Sequence, residues 1–201
     1  MTSGSMRWTS GWMAIALLVA VALPVAAGRG AGWRDRAWPE HVRRVDAALA
    51  DARAVDASRL AYAADFAVAR ALLERADAPQ RLGDVVGTWQ VRSIQVNAHG
   101  TFAYPWFRAS IRRTADELWF EKTTGSQRRS GVLLPHGDGR SLAFLGGATV
   151  NDEPQAAYSR GRAAGPAPSD SAGRLYRIGA RELLLVLDAE GGRYELYHLR
   201  R

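Results

Sequence analysis

The sequence predicts a mainly β chain in which a short helical hairpin precedes an antiparallel sheet. Three observations carry this. Apolar residues recur at helical spacing within residues 38–80, at Val42, Val45 and Leu49 and again at Leu60, Ala64, Val68, Ala71 and Leu72. From Arg81 the period becomes two, with turn residues between short runs. One such run, Leu183-Leu184-Leu185-Val186-Leu187, is apolar on both faces, whereas a strand with one face in water alternates.

The first element along the chain reads as an export signal. Arg7 is the only charge before Arg29, residues 12–25 are almost wholly apolar, and Pro24 breaks the run. Val25-Ala26-Ala27 then offers small residues to a peptidase. A spanning helix needs about 20 apolar residues, and this run is shorter, so residues 1–27 are expected to be cleaved rather than to anchor. Residues 28–37 become a linker. There is no cysteine, which removes lipid attachment through an N-terminal cysteine and any disulfide brace. The expected compartment is the periplasm or the exterior, with no membrane association after cleavage.

Residues 38–80 read as two helices broken near Val55. Pro39 sits just inside the first, where its missing N–H costs nothing. Asp56 or Ser58 can cap the second, and Pro79 ends it. From Arg34 to Gln80, eight basic residues balance eight acidic ones. Residues 81–201 then read as strands at 87–96, 101–106, 108–113, 117–123, 128–134, 141–146, 155–159, 174–179, 182–188 and 193–199. His136-Gly137-Asp138-Gly139 and Glu190-Gly191-Gly192 mark turns, and residues 161–173 a loop. Sequential short strands with tight turns fit a closed up-and-down barrel or a sandwich. The helical arm is the only amphipathic element, so it is expected to cover Leu184 and Val186, near Leu49, Leu60 or Val68.

Gly87-Thr88-Trp89 opens the first long strand and resembles the Gly-x-Trp start of lipocalin-like barrels. That resemblance implies a small antiparallel up-and-down barrel whose tryptophan closes one end under a basic residue, here Arg200 or Arg193. Residues 38–201 also resemble an exported proteobacterial family known as a domain of unknown function, DUF4893. The likeness rests on Tyr104-Pro105-Trp106-Phe107, on Lys122-Thr123-Thr124-Gly125-Ser126-Gln127-Arg128 with Gly131, on Phe144-Leu145-Gly146, and on Pro154-Gln155 with Tyr158. Similar proteins often place cysteines near positions held here by Val91 and Ala109. The resemblance implies export and a fold, and no chemistry.

The net charge is +7, from 27 basic and 20 acidic residues, and Lys122 is the only lysine. Arginine-rich, alanine-rich composition together with export argues against a nucleic-acid partner and leaves a small or anionic envelope ligand. Ser126, Gln127 and Arg128 form either an anion-binding hairpin, with a forked guanidinium, or an ordinary hairpin in which Arg128 pairs with Glu121. Phe102, Tyr104, Trp106 and Tyr158 either line a ligand cavity or fill a core. No Gly-x-Ser-x-Gly elbow, phosphate loop or dinucleotide fingerprint occurs, so no catalytic residue and no cofactor is nominated. His41, His99, His136 and His198 are dispersed, read as surface or turn residues, and suggest no metal site. The function expected is a non-enzymatic ligand-binding or accessory module, the alternatives being a hydrolase of envelope material or a protein interaction module. Intact mass of the exported protein should place its first residue at Gly28 or within a few positions of it; a membrane-fraction product starting at Met1 would overturn the export reading.

Overall fold

The computed structural model describes Met1, residues 32–115 and residues 117–201. The expected signal, Met1 aside, lies outside the described residues. Helices α1 (Trp33–Arg36), α2 (Pro39–Arg53) and α3 (Phe66–Asp77) are followed by β1 (Gly87–Asn97), β2 (Gly100–Thr114), β3 (Glu117–Lys122), β4 (Gln127–Pro135), β5 (Ser141–Val150), β6 (Asp170–Gly179), β7 (Glu182–Glu190) and β8 (Arg193–Arg200). Each strand pairs antiparallel with the next, and β8 returns to β1 with Val91 opposite Leu199, closing an up-and-down barrel. A 3-10 turn at Ala57–Arg59 separates the two long helices, with Asp56 accepting the Ser58 N–H. Among the described residues no helix is long and apolar enough to cross a membrane.

Several strand boundaries differ from expectation: β5 runs on to Val150, and β6 begins at Asp170, within the stretch expected as a loop. Residues 101–106 and 108–113 are one strand, β2. Trp106 pairs with Arg92 and Ala103 with Ile94, so Tyr104 and Pro105 bulge opposite Ser93. Proline has no N–H to give the ladder, and a bulge absorbs it without ending the strand. Residues 155–159 form no ladder; they are part of a strap that crosses the outer face of β3–β5, where Ser130 Oγ reaches the Ala156 carbonyl at 3.5 Å. The stretch read as linker also carries α1, whose Trp33 is buried against Leu134, Ala143 and Leu145.

Closure divides the apolar residues into an inner and an outer core. Trp89, Val91, Ala109, Phe120, Phe144, Leu175, Leu183, Leu185, Tyr197 and Leu199 fill the barrel. Val91 and Ala109, where relatives are expected to carry cysteines, are neighbours in this packing. Gly131 opposes Gly146, and a Cβ on Gly146 would lie 2.5 Å from the Phe144 ring. Glycine here makes room for the phenylalanine that fills the lumen. The outer core places Ala48, Ala52, Ala69, Leu72 and Leu73 of α2 and α3 on Leu184, Val186, Leu196 and Ile94. Leu49 and Leu60 pack there as expected, whereas Val68 faces water.

Trp89 closes the lower end. It is 2% exposed, donates its indole N–H to the Val85 carbonyl at 3.0 Å, and lies 4.0 Å beneath the Arg201 guanidinium. The covering residue is thus Arg201, one position beyond the expected Arg200; Arg193 lies at the opposite end of β8. Arg177 ties the entering segment beneath the barrel, donating to the carbonyls of Leu82, Asp84 and Ala180.

Leu184 is fully buried between barrel and helices. Leu184→Ala should cost about 2–5 kcal/mol in chemical denaturation, and deletion of residues 38–80 should leave no stable soluble barrel. A loss of a few tenths, or a stable truncated barrel, would overturn this docking.

Candidate functional site

Along several strands the inward-facing residues change from apolar to polar toward the upper end, where β1 meets β2 and β7 meets β8. On β1, Trp89 and Val91 give way to Ser93 and Gln95; on β4, Leu133 gives way to Arg129; on β8, Leu199 and Tyr197 give way to Glu195. The strand period sends these side chains inward wherever the strand continues into the mouth. On β7 a bulge does the same. Asp188 has φ +50 where the register shifts after Leu187, which turns both residues inward.

Arg129 organises this mouth. Its Nε donates to Ser171 Oγ at 2.9 Å, one terminal nitrogen bonds Glu195 and lies 3.3 Å from the Tyr197 hydroxyl, and the other reaches Asp188 Oδ2 at 3.2 Å. Ser93 donates to the second oxygen of Glu195 at 2.5 Å, and Ser171 and the Ala172 N–H donate to Asp188. Burial alone would disfavour the guanidinium charge, but Glu195, Tyr197 and Asp188 together hold its pKa above the ordinary arginine value. Beside it Lys122 is 3% exposed. Its ammonium donates to the Gln127 carbonyl and sits 4.5 Å from the centre of the Phe107 ring. Burial lowers its pKa, opposed by Glu195 and reinforced by Arg129. Burial, and then Glu195, raises that of Tyr197. Two cations and two carboxylates therefore balance in a plug above the apolar core.

Above the plug opens a cleft of roughly 630 Å³, between the start of α2, the segment 166–170 and the tips of β7 and β8. Its lining mixes both signs: Glu40, Arg44, Asp170, Glu190 and Arg193, with His41. Glu190 is held by Arg43 and Arg44. Arg193 has no ion-pair partner among the described residues.

One wall of this cleft is fastened by the strap. Asn151 N–H donates to the Ser126 carbonyl at 2.7 Å, and Arg128 donates to the carbonyls of Asn151 and, at 3.0 Å, Glu153. Gln155 donates to Glu121 at 2.7 Å. Further on, the Tyr158 hydroxyl accepts the Trp38 N–H at 2.9 Å and lies 2.7 Å from His41 Nδ1. Burial, with Arg44, keeps the His41 pKa below its ordinary value. Burial pushes Tyr158 up to about 12. Asp170 completes the clasp by accepting from Ser159 N–H and Oγ and from the Trp38 indole.

The sequence-predicted site residues are thus not gathered in one cavity. Ser126, Arg128 and Tyr158 hold the strap, and Gln127 joins the mouth through Gln95 at 2.7 Å. The Tyr104 hydroxyl also reaches Gln95, at 3.3 Å, while Phe102 stacks on Tyr62. Trp106 lies on the outer barrel face beneath Arg200, because the bulge at Tyr104 and Pro105 breaks the shared strand face. Arg128 does not pair with Glu121, which instead faces Arg112 at 3.6 Å. His41 and His198 are buried, not surface residues. Sequence reasoning missed Ser93, Lys122, Arg129, Ser171, Asp188 and Glu195. The available signal was a charge interrupting the apolar inward period, as Arg129 does above Gly131 and Leu133.

Residues 33–195 match the family model described as Domain of unknown function (DUF4893). The chain belongs to this family. The match spans the helices, the strap and the charged mouth of the DUF4893 domain, ending at Glu195, so Trp106 falls within it and Arg200 and Arg201 beyond it. No curated protein and no solved structure matches the chain.

Removing one member of a buried ion pair strands the other. Arg129→Met should therefore destabilise the domain by about 3–5 kcal/mol in urea titration, and adding Asp188→Asn and Glu195→Gln should recover much of the loss. A cost below about 1 kcal/mol for the single variant, characteristic of exposed pairs, would show that the plug is not structural.

Proposed function

We propose that this domain is an exported, non-enzymatic accessory module that holds a small, partly anionic ligand of the cell envelope in its mouth cleft. One observation carries this reading: the lumen is filled by side chains up to Tyr197, while the cleft above it is open and carries an arginine, Arg193, without a carboxylate partner among the described residues. Arg44 also lines the cleft from the facing helix; a terminal nitrogen holds Glu190, and its buried Nε has no partner. Export rests on the apolar N-terminal run and the Val-Ala-Ala sequence.

A lipocalin-like reading of the barrel is supported by the up-and-down order and by Trp89 beneath Arg201 at the closed end. The filled lumen moves the binding position from the interior to the rim. Gln127 and Tyr104 border that rim through Gln95. A hydrolase is not favoured, because the carboxylates at the cleft floor, Asp188 and Glu195, are both bound to Arg129 and to serine hydroxyls. General acid–base work needs a carboxyl within reach of a reacting proton.

Native mass spectrometry of protein taken from the periplasm should reveal a retained small molecule. A thermal-shift panel of envelope-derived carboxylates and zwitterions should raise Tm in the wild type and not in Arg193→Gln. Apoprotein alone in the spectrometer, with no shift from any compound, would overturn the reading.

A further inference from the structure

On the outer face of β8, β1 and β2, below Ile94 and Leu196, which the helices cover, the barrel register builds two rows of side chains. Arg92 lies opposite His198 on one side and Trp106 on the other. One pair lower, Gln90 lies opposite Arg200 and Arg108. Neighbours in such rows stand about 4.5–5.5 Å apart at Cβ, so three arginines surround one tryptophan. The Arg200 guanidinium lies 3.9 Å from the Trp106 ring centre, and that of Arg92 lies 5.2 Å from it.

Among the described residues none of the three arginines has a carboxylate partner. The acidic residue that faces Arg200 across β7, Glu182, is occupied by Arg75 and by His198 at 2.9 Å. Arg200 uses its Nε on Gln90 at 3.0 Å, which leaves its terminal nitrogens available. Arg92 Nε is buried with no hydrogen-bond partner, and Arg108 is exposed. Clustered like charges repel, and an unsatisfied buried donor carries a desolvation cost. A cleft of roughly 390 Å³ opens beside them, bordered by Thr88, Gln90, Trp106, Arg108, Thr124 and Arg200.

We propose that this face is an anion site for a phosphate monoester, gripped between Arg108 and Arg200, with Arg92 adding charge from the adjacent row and the rest of the ligand lying along Trp106 in the cleft. A phosphate monoester offers nearly two negative charges and three acceptor oxygens to forked donors, and the hydroxyls of Thr88 and Thr124 border the same space. A single carboxylate would leave most of this positive charge uncompensated. The site is separate from the mouth cleft and does not depend on the role proposed for it.

The same chemistry occurs in a soluble phosphate ester and in a lipid headgroup, so glycerol phosphate and phosphatidate-containing vesicles are the two probes. Calorimetry should show saturable binding of glycerol phosphate and none of glycerol. Arg108→Gln and Arg200→Lys, the latter keeping charge but losing the fork, should each weaken it by about tenfold or more, with circular dichroism unchanged; substitution of an exposed arginine outside both sites, Arg162→Gln, should bind as wild type. Vesicle co-sedimentation competed by glycerol phosphate would assign a headgroup, and binding of glycerol phosphate without co-sedimentation a free ester. Absence of binding to either probe, or binding that survives both arginine substitutions, would overturn the proposal.

Discussion

The barrel and the helices depend on one strand, β7, being apolar on both faces. Leu183, Leu185 and Leu187 fill the lumen while Leu184 and Val186 lie under α2 and α3. Burying a side chain of this size contributes about 1.5–3 kcal/mol, and β7 buries five in succession. A strand exposed to water outside would leave Leu184 and Val186 uncovered. The helices therefore belong to the fold, and the absence of disulfides is compensated by this second core.

The same closure makes the two ends different. At the lower end Trp89, Arg201 and Arg177 seal the barrel with an indole and with guanidinium bonds to backbone carbonyls. At the upper end the inward positions turn polar, and Arg129 binds Ser171, Asp188 and Glu195 into a plug whose charge the buried Lys122 balances. Buried charges of this kind are tolerated only when paired and hydrogen-bonded. The strap then ties the plug's surroundings to the start of α2 through Tyr158, His41, Trp38 and Asp170. Arg128 spends one terminal nitrogen on two of the strap's own carbonyls, those of Asn151 and Glu153.

Much of the fold was legible and most of the site was not. Period-two runs located every strand of the barrel, and the two-faced apolar run identified where the helices dock. Errors arose where local chemistry imitated something else. The break placed between residues 106 and 108 proved to be a bulge at Tyr104 and Pro105 within one strand, and the alternation at 155–159 read as a strand but crosses the sheet as a strap. Phe102, Tyr104 and Trp106 stand two apart, which in an unbroken strand puts them on one face. A bulge of one extra residue reverses the facing of all that follows, so Trp106 went outward and became part of the arginine cluster.

By itself the sequence determined the class of fold and the helical cover of β7, because periodicity and turn residues are local properties of the chain; the tryptophan at one end was what the Gly-x-Trp resemblance implied. Only the tertiary structure decided which charges meet. Arg129 and Glu195 are 66 positions apart, and Arg92, Arg108 and Arg200 lie on three strands. Their neighbours are set by closure and register, which bring distant strands side by side, and no spacing along the chain encodes that adjacency.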